Sequence, residues 1–256
     1  MRVTVPLPAT TRGPGDRIAD RFVIERVLGR GGFATVYLCA SATSGRQYAI
    51  KVLDRDITTD ATARQRFKLE AALLKLMTAP RLVQVHDFGT TADGACYLAM
   101  DYIDAPDVAL WLHRYGRLRV PDALRVGEHV LEALVALHAR SVVHRDVKPS
   151  NVLLRWNGVD RQSIEAILTD LGIAKVLDGA LNPASGGRLT APNQVVCTPL
   201  YAAPEVFAGL PQLASDIFSL GLMVAELIDG TLPDAELPAG ELRRRRCVLE
   251  AARLGP

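Results

Sequence analysis

The stretch His144-Arg145-Asp146-Val147-Lys148-Pro149-Ser150-Asn151, followed further on by Asp170-Leu171-Gly172, decides how this chain is read. It sets an acid, a lysine, an amide and a second acid on short segments flanked by apolar residues. Phosphoryl transfer to a hydroxyl needs such a set: a group that orients the nucleophile, a cation beside the phosphoryl oxygens, and hard oxygen ligands for magnesium. Asp146 is the candidate to orient an incoming hydroxyl and accept its proton, and Lys148 to place positive charge beside the transferred group. Asn151 and Asp170 offer the oxygen donors that magnesium prefers. The ordinary alternative is a polar loop with an Asx turn; three groups with chemical roles at fixed offsets argue against it. His144 reads as a core residue holding the loop, not as a base or metal ligand.

Outward from that stretch, the chain divides by character. Residues 1–16 carry Thr, Pro and Gly without hydrophobic period and read as a disordered leader, with order beginning near Ile18. Phe22-Val23-Ile24 opens a first strand. Val27-Leu28 then runs through Gly29-Arg30-Gly31-Gly32 into Thr35-Val36-Tyr37-Leu38, a second strand after a glycine turn. Further strands are expected at Gln47 to Leu53, Leu82 to Phe88 and Ala95 to Asp101, with a helix from about Ala61 to Met77. Residues 17–101 are thus predicted to be a mostly antiparallel N-terminal lobe with one helix.

Residues 102–256 are predicted to be mainly helical. Pro121 to Arg140 places Leu124, Leu131, Leu134 and Val135 on one helical face, and Ser215 to Ile228 is apolar almost all round. Asp170 to Glu205, rich in Gly, Pro, Thr and Asn, is too long for an ordinary connection and reads as a functional or mobile loop.

Bulk properties narrow the class. The chain has 256 residues, 49% of them hydrophobic, which is ample for a globular core. A balance of 30 basic against 28 acidic residues gives a net charge of +2, no argument for a nucleic-acid or membrane partner. Cys39, Cys96, Cys197 and Cys247 lack paired metal-ligand spacing, so a reduced, cytoplasmic chain without zinc is expected. The apolar run near Ile217 to Ala225 is short for a membrane span, and the N-terminus lacks an apolar signal core. Arg243 to Arg246 reads as a solvated helix face.

Other motifs gain weight only together. Gly29 to Val36 could admit phosphate oxygens to the backbone, because glycine removes the Cβ that would hold a ligand away; alone it is also an ordinary hairpin. Strand follows the glycines, which excludes a dinucleotide-binding turn. Glu70 shares a helical stripe with Phe67, Leu74 and Met77 and would be drawn toward the sheet, where Lys51 is the candidate cationic partner. Asp170 follows the strand-like Ala166-Ile167-Leu168-Thr169. Asp216 could be a helix N-cap ahead of Ile217.

Read in order, these segments resemble the eukaryotic-type protein kinases from about Phe22 to Leu232, and most closely the bacterial serine/threonine kinases. The resemblance implies an α+β, bilobal fold and an ATP- and magnesium-dependent transfer to serine or threonine hydroxyls of protein substrates. Gly29 to Val36, with Arg30, Gly31, Gly32 and Phe33, is similar to the glycine-rich loop. Lys51 resembles the lysine that holds the α and β phosphates and Glu70 its helical partner. Asp146 matches the catalytic base, Lys148 the lysine typical of serine/threonine kinases, and Asn151 and Asp170 the magnesium ligands. Tyr97 to Ile103 is similar to the hinge, implying that Met100, Asp101 and Ile103, with Ala49 and Leu153, surround adenine. Ala203-Pro204-Glu205 resembles the end of the activation segment, and Asp216 the buried aspartate that anchors the catalytic loop.

Three positions depart from the pattern: Ala34 stands for the third loop glycine, Leu171 for the usual phenylalanine, and Cys197 for a glycine before Thr198. Only a short tail follows Asp216, so the helical lobe is expected to be shortened, with Arg243 to Arg246 as possible partners for Glu205. Arg145 beside Asp146 implies control by activation-loop phosphorylation, with Thr190 and Ser185 as candidate acceptors and Thr198 a further one. Self-association for autophosphorylation is part of that expectation. A pseudokinase that binds nucleotide as a scaffold is the alternative; a small-molecule phosphotransferase is disfavoured by the segment from Thr198 to Glu205.

Overall fold

The computed structural model describes residues 12–54, 61–156, 164–171, 199–207, 209–232, 234–238, 240–242 and 244–246. These form two compact units. The first runs to residue 77 and adds Gln84–Ile103; the second takes Thr78–Val83 and continues from Asp104. The expected division at residues 101 and 102 therefore differs in detail. Thr78–Val83 joins the second unit because Leu168 N donates to Arg81 O at 2.7 Å and Val83 N to Leu168 O at 2.9 Å.

Unit one is a six-stranded antiparallel sheet. Its strands are β1 (Arg17–Ile18), β2 (Phe22–Arg30), β3 (Ala34–Ser41), β4 (Gln47–Leu53), β5 (Val85–Thr90) and β6 (Cys96–Asp101), ordered β1-β2-β3-β4-β6-β5. Alternation sorts their side chains. Ile24, Tyr37, Cys39, Ile50, Val52, Tyr97 and Ala99 cluster on one face, where Phe22 meets Tyr48 and Tyr97 edge-on. The opposite face carries Val36, Ala49, Lys51, Leu98 and Met100, since Val36 pairs with Lys51, Lys51 with Leu98 and Ala49 with Met100. Cys96 lies on that second face, and Arg64 and Lys68 of helix α1 (Ala61–Lys75) act electrostatically on its thiol. Helix α1 therefore covers the face that bears Lys51. Phe67, Ala71, Leu74 and Met77 are its buried residues.

The leader is shorter than residue 16 among the described residues. Gly15 N donates to Ile24 O at 2.8 Å, Ile24 N to Asp16 O at 2.9 Å, and Arg12 pairs with Asp93 at 2.6 Å. Backbone pairing holds Gly15 and Asp16 there despite their weak hydrophobicity.

Unit two is mainly helical. Helix α2 (Val108–Tyr115) starts at Asp107, whose carboxylate accepts from Leu110 N at 2.7 Å, and stops at Gly116 with φ 73°. Helix α3 (Val120–His138) buries Ala123, Val126, Val130, Ala133, Leu134 and Leu137. Leu124, Leu131 and Val135, grouped with Leu134 by the sequence, are instead 56%, 42% and 60% exposed. Small residues decide the face: Ala123, Gly127 and Ala133 permit a close approach that a leucine stripe would prevent.

Strands β7 (Val152–Arg155) and β8 (Glu165–Leu168) form a separate antiparallel pair, with β8 against α3. Two short turns of helix, Pro199–Tyr201 and α4 (Pro204–Phe207), precede α5 (Leu213–Asp229), which packs on α3.

The α3–α5 crossing is close at Gly127, where an added Cβ would stand 2.8 Å from Val224 Cγ2. Valine is stiff at χ1 and cannot swing clear cheaply. Gly127→Ala is expected to lower stability by about 1–3 kcal/mol despite alanine's better helix propensity. Adding Val224→Ala should recover most of the loss. Chemical denaturation of the single and double variants checks this, and a Gly127→Ala protein as stable as the parent would contradict the packing argument.

Candidate active site

In unit two the candidate residues converge on one buried carboxylate. Asp216, 1% exposed in the first turn of α5, accepts from His144 N and Arg145 N, each at 2.8 Å, and from His138 Nε2 at 2.8 Å. Asp216 is thus an anchor and not an N-cap. The cap is Gln212, in a reciprocal capping box with Ser215. His138 was not singled out from the sequence; its place at the end of α3, far along the chain from Asp216, leaves no local signal.

The two amides that Asp216 holds set the loop. Arg145 adopts φ 67°, a left-handed conformation costing a non-glycine residue on the order of 1–3 kcal/mol, which the Asp216 bond helps to hold. His144 is buried and accepts from Asp146 N at Nδ1 (3.3 Å) while Nε2 donates to Thr169 O (3.0 Å). Only the neutral Nε2–H tautomer satisfies both partners. This is the structural role expected for His144.

Asp146 follows. Its Oδ2 lies 2.9 Å from Lys148 Nζ and 2.9 Å from Asn151 Nδ2, and Asn151 Nδ2 also donates to Asp146 O at 2.7 Å. Both neighbours of that amide nitrogen are acceptors, which fixes its orientation and turns the Asn151 carbonyl oxygen the other way. Thr169 N donates to Asn151 O at 2.8 Å, continuing the β7–β8 ladder, so Asp170 emerges beside Asn151. Asp170 has φ 59°, which turns the chain out of β8. Two oxygen-bearing side chains therefore sit at one end of the hairpin, a donor set that fits a hard divalent cation. Leu171, which stands for the usual phenylalanine, is buried.

In unit one, Lys51 is 9% exposed on the sheet face that α1 covers, and Glu70 on α1 is half-buried. Met100 and Ala49 are buried beside one another; Phe33, Val36 and Ile103 are half-buried, as is Leu153 of unit two. The Asp101 carboxylate accepts from His86 (2.6 Å) and Arg46 (2.9 Å). Gly29 and Arg30 end β2, and Gly31 N donates to Ala34 O at 2.9 Å to close the turn. A Cβ built at Gly29 or Gly32 would meet nothing within 4 Å. Ala34 is buried in β3, so its methyl group does not crowd that open side. The open backbone beside a buried lysine fits a phosphate chain.

Thr190, Ser185, Thr198 and Cys197 lie outside the described residues. Beyond them, Glu205 accepts from Ser215 Oγ; Arg246, expected with its neighbours on a solvated helix face, is instead buried and donates to the carbonyls of Pro199, Leu200 and Ala202, while Arg244 and Arg245 are exposed.

The neutral histidines make the fold acid-sensitive. Burial pushes the pKa of His144 below the ordinary 6.5 against the pull of Asp216 and Asp146, and burial with the Arg81 guanidinium lowers that of His129. His129 Nδ1 accepts from Ala166 N at 3.1 Å and would lose that bond on protonation. The unfolded chain takes up these protons first, so stability is full above pH 6.5 and declines as pH falls from there toward the folded-state values. Denaturant midpoints across that range check this; a midpoint that stays flat on acidification would contradict it.

Comparison with known proteins fits these features. The family model described as the protein kinase domain matches residues 22–245. The chain is 35% identical over 228 residues to serine/threonine-protein kinase PkaA of Streptomyces coelicolor, covering 84% of this chain and 40% of that protein. It is 33% identical over 220 residues to PrkC of Bacillus subtilis, also a serine/threonine-protein kinase, covering 86% and 32%. The kinase domain of PknI from Mycobacterium tuberculosis matches with a TM-score of 0.68 at 27% identity, covering 91% of this chain and 86% of that one. This chain belongs to the protein kinase family, in its bacterial serine/threonine branch, with the family's bilobal α+β fold. It spans less than half the length of PkaA and PrkC.

Proposed function

We propose that this protein transfers the γ-phosphoryl group of ATP to serine or threonine hydroxyls of protein substrates. The observation that carries the reading is the Asp146 carboxylate, held by Lys148 and Asn151 on a loop fastened to Asp216. Asp146 orients the acceptor hydroxyl and takes its proton as the bond to phosphorus forms. Lys148 places its ammonium beside the transferred group. Asn151 and Asp170 would hold magnesium, which supplies charge neutralisation at the phosphate oxygens.

Lys51, braced by Glu70, would hold the α and β phosphates, with the backbone of Gly29 to Gly32 closing over them. Ala49, Met100, Asp101, Ile103 and Leu153 would receive adenine. A cytoplasmic location, self-association and phosphorylation at Thr190, Ser185 or Thr198 complete the proposal. Among the described residues no helix is long and apolar enough to cross a membrane.

Transfer from labelled ATP to a generic acceptor protein tests the reading, with phosphoamino-acid analysis of the product. Label on serine and threonine is expected. Label on a free small alcohol and none on protein would contradict it.

A further inference from the structure

His86 interrupts the pairing of β5 with β6. Val85 pairs with Met100 and Asp87 with Ala99, so His86 is one residue more than β6 has partners for, a β-bulge. A bulge gives up regular pairing and re-aims a side chain. Here the re-aimed ring reaches the last residue of β6: His86 Nε2 donates to Asp101 Oδ1 at 2.6 Å, and Arg46 Nη2 donates to the same oxygen at 2.9 Å. A carboxylate oxygen accepts, so Nε2 is the ring nitrogen that carries hydrogen.

Tyr48 pairs with Asp101 across β4 and β6, and both donors pack on its ring. His86 meets it edge-on with centroids 5.4 Å apart, and the Arg46 guanidinium carbon stands 5.2 Å from its centroid. Neighbours along a strand alternate, so Tyr48 and Asp101 point to the sheet face away from Ala49 and Met100. Asp101 N, for its part, donates to Gln84 O at 3.0 Å. Asp101 ends β6, and the chain leaves the sheet at Tyr102 and Ile103. Its exit is therefore fastened twice, at the amide by β5's approach and at the carboxylate by His86 and Arg46.

We propose that His86 and Arg46 are positioning residues for adenine: by clamping the Asp101 carboxylate they fix the course of the backbone from Asp101 to Ile103 that receives the base. The proposal rests on the reading above that adenine is held there. Neither residue touches the nucleotide, because both act from the sheet face opposite Ala49 and Met100. Their loss therefore weakens adenine binding and leaves acceptor recognition alone.

The test compares the parent with His86→Gln, His86→Leu and the double variant His86→Leu/Arg46→Met. It reads adenosine Kd by titration, KM for ATP, KM for an acceptor protein and the thermal midpoint. With both donors gone, adenosine Kd and ATP KM are expected to rise about tenfold, with acceptor KM and kcat unchanged. His86→Leu alone should show a rise of about threefold. His86→Gln should lie nearer the parent, because its amide offers an N–H to the same oxygen. Should the double variant fail to melt cooperatively, His86→Leu decides. A folded variant with parental adenosine Kd, an acceptor KM that rises in step with ATP KM, or a glutamine variant no better than leucine overturns the proposal. If the parent binds neither adenosine nor ATP, the adenine reading itself fails and the clamp falls with it. A parent that binds adenosine yet transfers no phosphate removes the phosphoryl-transfer reading alone, and the adenosine Kd values still judge the clamp.

Discussion

Asp146→Asn is expected to lower phosphoryl transfer by on the order of 10² to 10⁴, the loss that follows removal of a general base. Asparagine matches aspartate in shape and keeps a carbonyl oxygen for the bonds from Lys148 and Asn151, so the loop should keep its geometry. What it lacks is a carboxylate to accept the hydroxyl proton. Thermal stabilisation by ATP with magnesium should therefore survive in Asp146→Asn while turnover collapses. Lys51→Met should reduce both, because Lys51 is proposed to bind the phosphates directly. Initial rates with a generic acceptor and melting curves with and without nucleotide check the pair. Parental rates in Asp146→Asn would contradict the assignment, and a protein that gains stability from nucleotide yet never turns over would be a scaffold.

The second large effect concerns stability. Asp216→Ala leaves three donors, the buried His144 N and the partly buried Arg145 N and His138 Nε2, without the carboxylate that satisfies them. Each orphaned donor costs about 1–3 kcal/mol. The three share one acceptor and are not additive, so a total of about 3–5 kcal/mol is expected, the range for breaking a buried charged network. Asp216→Asn should fall between, since its amide retains one acceptor oxygen. Activity should fall with stability in Asp216→Ala, because the released amides position Asp146. Urea denaturation of the three proteins reads the effect; an alanine variant within about 1 kcal/mol of the parent would show that the Asp216 network contributes little.

Much of this was legible in the chain because local chemistry and long-range role coincide. The glycine turn between Val27 and Thr35 required only that β-branched and aromatic residues flank glycine, and β2 and β3 form there. The stripe of Phe67, Leu74 and Met77 turned inward as its spacing demanded. On α3 the same reasoning chose the wrong side, because periodicity weighs leucine above alanine and glycine, while the crossing with α5 selects small residues. Helix α2 was not anticipated; eight residues give barely two turns of pattern, and its start rests on the cap at Asp107.

Asp216 was ambiguous for a different reason. An aspartate at a helix start reads as a cap, and only the amides of a loop distant in sequence reveal that it is an anchor. Arg246 stood among four consecutive arginines that spacing cannot rank; burial against the carbonyls of Pro199, Leu200 and Ala202 sets it apart from the exposed Arg244 and Arg245. Partners distant along the chain are set by tertiary packing, which no local window contains.

Intact mass after incubation with magnesium and ATP, with modified sites mapped, tests the central claim most directly. The account predicts added phosphoryl groups on serine or threonine of the parent and an unmodified Asp146→Asn protein. Parent protein that stays unmodified, and leaves an added acceptor protein unmodified as well, would contradict it.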